Sequence, residues 1–152
     1  MPAGRDAVSG DPLLGFNFAI EVSGIIQGYF TEAAGLGSEQ EVVEHKIVGK
    51  DAKEIVRKIP GRLKWGDITL KRGITTNMDF WKWRKMVEDG AIQEARKDGS
   101  IVMYDQAGAE ISRWNFERGW PSKVSGPSAN AGDSAIGIEE LTIVHEYLKR
   151  VT

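Results

Sequence analysis

The sequence predicts an α+β domain that is mostly β: an antiparallel sandwich or barrel-like sheet carrying one packed helix at about 77–89. Three observations carry this. Several segments alternate apolar and polar residues with the two-residue period of a half-buried strand. The chain holds 18 glycines, which suits many turns between short strands. One segment has apolar residues at helical spacing. With 152 residues, 41% hydrophobic and 28% charged, the chain has the size and composition of one folded core rather than of a disordered segment.

Residues Met1 to Asp11 hold little that packs, and the Asp11-Pro12 step disfavours helix, so 1–11 reads as a flexible N-terminal arm ahead of a single domain at 12–152. From Phe16 the pattern is a strand, with Phe16, Phe18, Ile20 and Val22 on one face and Asn17, Ala19, Glu21 and Ser23 on the other. Tyr29-Phe30-Thr31 forms a short strand before the glycine-rich segment Ala33 to Gly37. Val42 to Val48 and Glu54 to Ile59 read as two strands around the polar turn Gly49-Lys50-Asp51-Ala52. The alternative there is a short helix from Asp51 to Lys58, because Ala52, Ile55, Val56 and Ile59 also suit a helical face. Pro60-Gly61 is expected to end the segment in either case.

Asp67 to Lys71 alternates as another strand. The helix follows, with Thr76 and Asn77 as caps, Asp79 completing a capping box with Thr76, and Gly90 as the stop. Phe80, Trp83, Met86 and Val87 share its inner face. Ile101 to Tyr104 and Ile111 to Trp120 form a hairpin around Asp105-Gln106-Ala107-Gly108, with Trp114, Phe116 and Trp120 expected on one face. Ser122 to Ser134, rich in Ser, Gly, Pro and Ala, reads as a long surface loop. In the last strand Leu141, Ile143, His145 and Tyr147 oppose Glu140, Thr142, Val144 and Glu146.

Catalytic and metal chemistry find little footing. The chain has no cysteine, and His45 and His145 lie far apart in sequence without a ligand cluster, so no metal site and no cofactor are expected. Glu139 and Glu140 are strand neighbours on opposite faces and do not converge on one substrate atom. The glycines match neither a P-loop nor a dinucleotide fingerprint, and no serine sits in a nucleophile elbow. The five tryptophans read as packing residues rather than base-stacking ones, because the net charge of −2 supplies no basic groove. No apolar run approaches bilayer length, so no direct membrane insertion is expected. The opening residues lack a basic start and an apolar run, so no signal peptide is expected. The reading is a non-enzymatic structural subunit.

A series of short motifs then points to a family. Asp11-Pro12-Leu13-Leu14-Gly15-Phe16-Asn17-Phe18, Gly28-Tyr29-Phe30-Thr31-Glu32 and Gly35-Leu36 come first. Pro60-Gly61, Ile68-Thr69-Leu70-Lys71-Arg72-Gly73, Trp81, Trp114 and Phe116 follow. Gly119-Trp120-Pro121-Ser122-Lys123 and the closing Ile138 to Glu146 strand complete the set. In this order and spacing the chain resembles the inner tube proteins of contractile phage tails and extracellular contractile injection systems, over nearly its whole length.

The resemblance implies a hexameric ring with a continuous inner β-barrel, stacking into a hollow tube that sheath contraction drives into a target. The implied partners are further copies of the chain, a sheath protein, a baseplate or spike hub, a terminating cap, and an effector or DNA cargo in the lumen. Under that reading Asn17, Glu21, Ser23, Thr69, Lys71, Glu140, Thr142 and Glu146 include lumen-facing positions; the alternative for each is an outer solvated face. Gly49, Lys50, Asp51 and Ala52 are the candidate ring-stacking tip, together with the 1–11 arm and the 122–134 loop. A baseplate-proximal initiator paralogue and a type VI secretion tube subunit share the resemblance. Outside it stand a soluble ligand-binding β-barrel and, less favoured by the missing nucleophile, a hydrolase on a similar scaffold.

Overall fold

The computed structural model describes residues 17–22, 26–73, 76–127 and 137–152. Ten strands and two helices run in the order β1 (Asn17–Val22), β2 (Ile26–Phe30), β3 (Glu32–Ala34), β4 (Ser38–Val48), β5 (Glu54–Trp65), β6 (Ile68–Gly73), α1 (Asp79–Glu88), α2 (Ile92–Ala95), β7 (Lys97–Tyr104), β8 (Glu110–Ser125), β9 (Ile138–Val144) and β10 (Tyr147–Arg150). The 1–11 arm and Ser23 lie outside the described residues.

Eight strands form one antiparallel sheet in the order β2-β1-β7-β8-β9-β6-β3, with β10 added to β8. β8 makes this possible. Its first part pairs with β7 and its last part with β9, so one long strand belongs to two walls. The sheet curls back on itself where β2 passes into β3 through Thr31 alone, whose N–H donates to the Lys71 carbonyl at 2.9 Å. The result is the expected barrel-like body. Ile20, Val22, Phe30, Ile101 and Phe116 from one wall meet Ile68, Leu70, Leu141 and Ile143 from the other in a single buried cluster. Phe80 and Trp83 of α1 and Ala95 of α2 complete it.

One interior polar group ties the helix to the wall. Arg72 and Glu139, 6% and 3% exposed, form an ion pair with Nε 2.8 Å from Oε2, and the Trp81 indole N–H donates to the other carboxylate oxygen. The guanidinium also lies 4.6 Å from the Phe80 ring centroid and 5.3 Å from that of Phe30. A buried charge is tolerated only when paired and hydrogen-bonded in this way.

Several boundaries differ from the sequence expectation, each for a local reason. The N-cap of helix α1 is Met78, which makes no side-chain capping bond; the Asn77 side chain before it accepts from the Asp79 N–H at 2.8 Å, and the expected Thr76 capping box is not formed. It stops at Gly90, in the left-handed region at φ 87, as expected. The short helix α2 was not anticipated. Ser122 to Ser125 belong to β8 rather than to a loop, while 128–134 lie outside the described residues. Trp120 does not share a face with Trp114 and Phe116: Arg118 adopts φ 53 beside a register shift, which flips the strand so that Trp120 pairs with Val144 and Pro121 turns inward. The final strand also changes phase. β9 ends at Val144, and after a bend Leu148 rather than Tyr147 is buried.

Candidate assembly interface

Among the described residues, β4 and β5 pair only with each other and form a two-stranded sheet apart from the body. Eleven residues at about 3.3 Å each give an arm of about 35 Å. β-Branched residues build it: Val43 stands opposite Ile59 and Ile47 opposite Ile55, while Val42 faces Pro60, Val48 faces Glu54 and Val56 faces Lys46. The tip is the expected turn. The Ala52 N–H donates to the Gly49 carbonyl at 3.1 Å, and the Gly49 N–H donates to the Lys53 carbonyl at 3.0 Å. Ala52 itself sits at φ 57. The alternative of a helix over 51–58 is excluded, because Glu54 to Lys58 are in the ladder. Pro60-Gly61 does not end the segment either. Pro60 stands opposite Val42 beside a bulge, where a missing N–H disturbs the ladder least, and the strand runs on to Trp65.

The arm is the continuation of the body's β3–β6 ribbon, with β3 leading into β4 and β5 into β6. The joint is made of glycines. Gly35, at φ 81, lies so close to the Asp67 carbonyl that any Cβ would overlap it, and the Gly66 N–H donates to the Gly37 carbonyl at 3.1 Å. Trp65 wedges the joint, with its ring 5.9 Å from His145 and 5.4 Å from Tyr147. His145 is buried, and its Nε2 lies 3.0 Å from the Gly66 carbonyl, so that nitrogen carries the proton that is donated. Burial holds its pKa below the usual histidine value, outweighing the opposite pull of the Gly66 hydrogen bond and of Asp67.

Among the described residues, nothing in the body covers the arm. Val42 is 62% exposed and Val48 74%, and Val43, Ile55, Val56, Ile59 and Leu63 are exposed as well. Both faces carry apolar residues: Val43, Ile47, Ile55 and Ile59 on one, Val42, Pro60, Val56 and Val48 on the other. A lone two-stranded hairpin is marginal in water, and long open strand edges with apolar faces invite pairing. Burying each of these half-exposed side chains contributes roughly 1 kcal/mol. The arm therefore has the chemistry of an interface.

The other sequence-predicted positions separate into groups. Thr69, Lys71, Glu140 and Thr142 come together on the outward surface of the β6–β9 wall, where Thr69 is the register partner of Thr142 and Lys71 of Glu140. Charges on this wall are matched: Lys71 lies 4.0 Å from Glu32 and Lys123 lies 3.8 Å from Glu140. Glu21 stands on the β1–β7 wall, across the core from that quartet, with Oε2 3.0 Å from Arg113. Asn17 is paired through its backbone to Tyr104 on the same strand as Glu21. Glu146 lies at the bend before β10, 2.7 Å from Arg118, and joins neither group. Gly49 to Ala52 form the arm's tip.

What sequence reasoning missed is the arm as a whole. It located the turn and most of the two strands, but placed the candidate stacking contacts at the four tip residues, the 1–11 arm and the 122–134 loop. The available signal was the absence of a clean apolar face: Val42 and Val43 in succession, and Ile55 and Val56 in succession, leave no side of the ribbon polar. Among the described residues no group of three His, Cys, Asp or Glu side chains is placed to hold a metal, and no helix is long and apolar enough to cross a membrane.

Known structures share this architecture. The chain matches a protein in the sheath-tube complex of an extracellular contractile injection system, PVC, in its extended state, with 21% identity and a TM-score of 0.69, covering 99% of this chain and 98% of that one. It matches a chain of the anti-feeding prophage tube terminating cap with 23% identity and a TM-score of 0.69, covering 93% and 91%. Hcp1 from Flavobacterium johnsoniae matches with 13% identity and a TM-score of 0.52, covering 88% and 93%. No curated protein matches the chain by sequence. The family model described as T4-like virus tail tube protein gp19 matches residues 14–149, and the chain belongs to that family as a structural tube subunit.

Proposed function

We propose that the chain closes into hexameric rings which stack into the inner tube of a contractile injection system or contractile phage tail, and that the β4–β5 arm is the element that joins copies. The observation that carries this reading is the arm: about 35 Å of ribbon with open edges, apolar residues on both faces and no cover from its own body among the described residues. A second copy of the chain is the occupant that closed, repeated assembly supplies. Many modest interfaces in a ring and between rings give stiffness by avidity, which lets a contracting sheath deliver axial force through the tube.

The β6–β9 quartet Thr69, Lys71, Glu140 and Thr142 faces the lumen in this reading. It belongs to the wall from which the arm extends, and its surface is polar with its charges matched in place. Such a wall offers a passing effector or DNA neither an apolar patch nor an unbalanced charge to adhere to. Sheath, baseplate or spike hub and terminating cap are the partners, in keeping with the sheath-tube and cap assemblies that hold its structural neighbours. Enzymatic activity has no part in the mechanism. Assembly takes place in a bacterial or archaeal cytoplasm before the particle acts outside or at the surface of the cell.

Negative-stain microscopy of the purified chain tests the reading. Rings or tubes with a central hole are expected, and a variant lacking residues 42–61 with a short turn in their place yields folded subunits without tubes. A monomer at high concentration, or normal tubes from the armless variant, overturns it.

A further inference from the structure

The two strands of the arm carry opposite charge. Glu39, Glu41 and Glu44 against Lys46 leave β4 at −2, while Arg57, Lys58, Arg62 and Lys64 against Glu54 leave β5 at +3. Pairing inside the hairpin uses only part of this. Lys64 lies 2.9 Å from Glu41, and Lys46 lies 3.8 Å from Glu54. Among the described residues, Glu39 and Glu44 on β4 and Arg57, Lys58 and Arg62 on β5 have no ion-pair partner, although Glu44 stands opposite Lys58 in register. The surplus is therefore acidic along one open edge and basic along the other.

We infer that the acidic strand β4 of one subunit lies against the basic strand β5 of the next, so that arm charge selects head-to-tail closure of the ring. This rests on the ring reading above. Copies related by rotation about one axis point the same way, so β4 of one arm meets β5 of its neighbour in the antiparallel sense and continues the ribbon. Long Glu, Lys and Arg side chains reach directly opposed and diagonal partners across such a junction. A two-fold arrangement would instead set β4 on β4 or β5 on β5, placing like charges together, which opposes pairing. The sequence thus carries an attractive element for the ring and a repulsive one against the dyad.

Two reversed variants test the pairing. Glu39→Lys with Glu44→Lys makes both strands positive; Arg57→Glu, Lys58→Glu and Arg62→Glu makes both negative. Each alone is expected to keep the circular dichroism of the wild type and to lose assembled material at least about tenfold, by sedimentation and microscopy. Mixed in equal amounts they are expected to assemble together in a one-to-one ratio, because every junction in an alternating ring is again acid against base. That rescue cannot arise from repair within either hairpin, since each still bears like charges on both strands. Wild-type assembly is also expected to weaken as salt rises, a measurement that does not depend on how the variants fold.

Variants that assemble alone like the wild type, a mixture of folded variants that fails to assemble, or wild-type association indifferent to salt would each overturn the pairing while leaving the ring reading in place. Failure of the wild type to form rings overturns both.

Discussion

The barrel body and the arm are built from the same materials, alternating strands rich in β-branched residues, yet they are completed differently. In the body, β8 shared between two walls and the Thr31 crossing curl the sheet around one core, and even an arginine and a glutamate are buried against each other inside it. In the arm, strands of 11 and 12 residues leave both edges and both faces open among the described residues. The difference teaches where completion comes from: the body finds it within the chain, whereas among the described residues the arm finds none, which is why the proposed reading gives it to a second copy.

The largest effect expected from breaking this contrast lies in the body. Glu139→Ala leaves Arg72 buried without its carboxylate and removes the acceptor of the Trp81 indole, so a loss of about 3–5 kcal/mol is expected in urea unfolding of the unassembled chain. Matched deletions sharpen the comparison further. Leu141→Ala, inside the core, is expected to cost about 2–5 kcal/mol in the same experiment, whereas Ile59→Ala on the arm changes subunit stability by less than about 0.5 kcal/mol but weakens assembly. An equal loss at both positions would show that the arm is packed within the monomer.

The joint between the two regions should respond at an intermediate level. Gly35→Ala forces a Cβ toward the Asp67 carbonyl at a left-handed backbone position, and a cost of about 1–3 kcal/mol is expected, together with an altered arm direction visible as shorter or irregular tubes. His145 adds a pH dependence at the same place. Its folded pKa is depressed by burial, so its contribution to stability is fully present above the ordinary value of 6.5 and is lost as the pH falls through that value toward the folded pKa. Thermal unfolding of the wild type should weaken over that interval, and His145→Gln should flatten the change. Smallest of all, Ala52→Gly at the tip relieves a left-handed residue and is expected to raise stability by no more than about 1 kcal/mol.

Much of the body was legible in the sequence because its cues are local and agree with one another. Phe80 and Trp83 lie on the predicted inner face of α1, Gly90 stops it, and the β6 and β9 alternations place Ile68, Leu70, Leu141 and Ile143 inside. Errors arose where a single residue changes the period. Arg118 at φ 53 flips β8, and the bend at His145 and Glu146 shifts the last strand, neither of which an alternation count detects. Pro60 is expected from sequence to end its segment, yet it lies within β5 beside a register shift that accommodates a missing donor, as Pro121 lies within β8. The candidate site was legible only in its parts. Thr69, Lys71, Glu140 and Thr142 fell on one surface because period-two faces are local, whereas Glu21 could not be separated from them before the sheet was seen to curl. The arm's detachment depends on what its edges fail to meet, and no short stretch of sequence encodes that.

Amide hydrogen exchange, followed in the unassembled chain and in assembled tubes, tests the central claim most directly. The account predicts that outward-edge amides of 42–48 and 54–61 exchange rapidly in the free subunit and become strongly protected on assembly, while the buried amides of β1, β6 and β9 are protected in both states. Arm amides already protected in the free subunit, or unchanged between the two states, would contradict it.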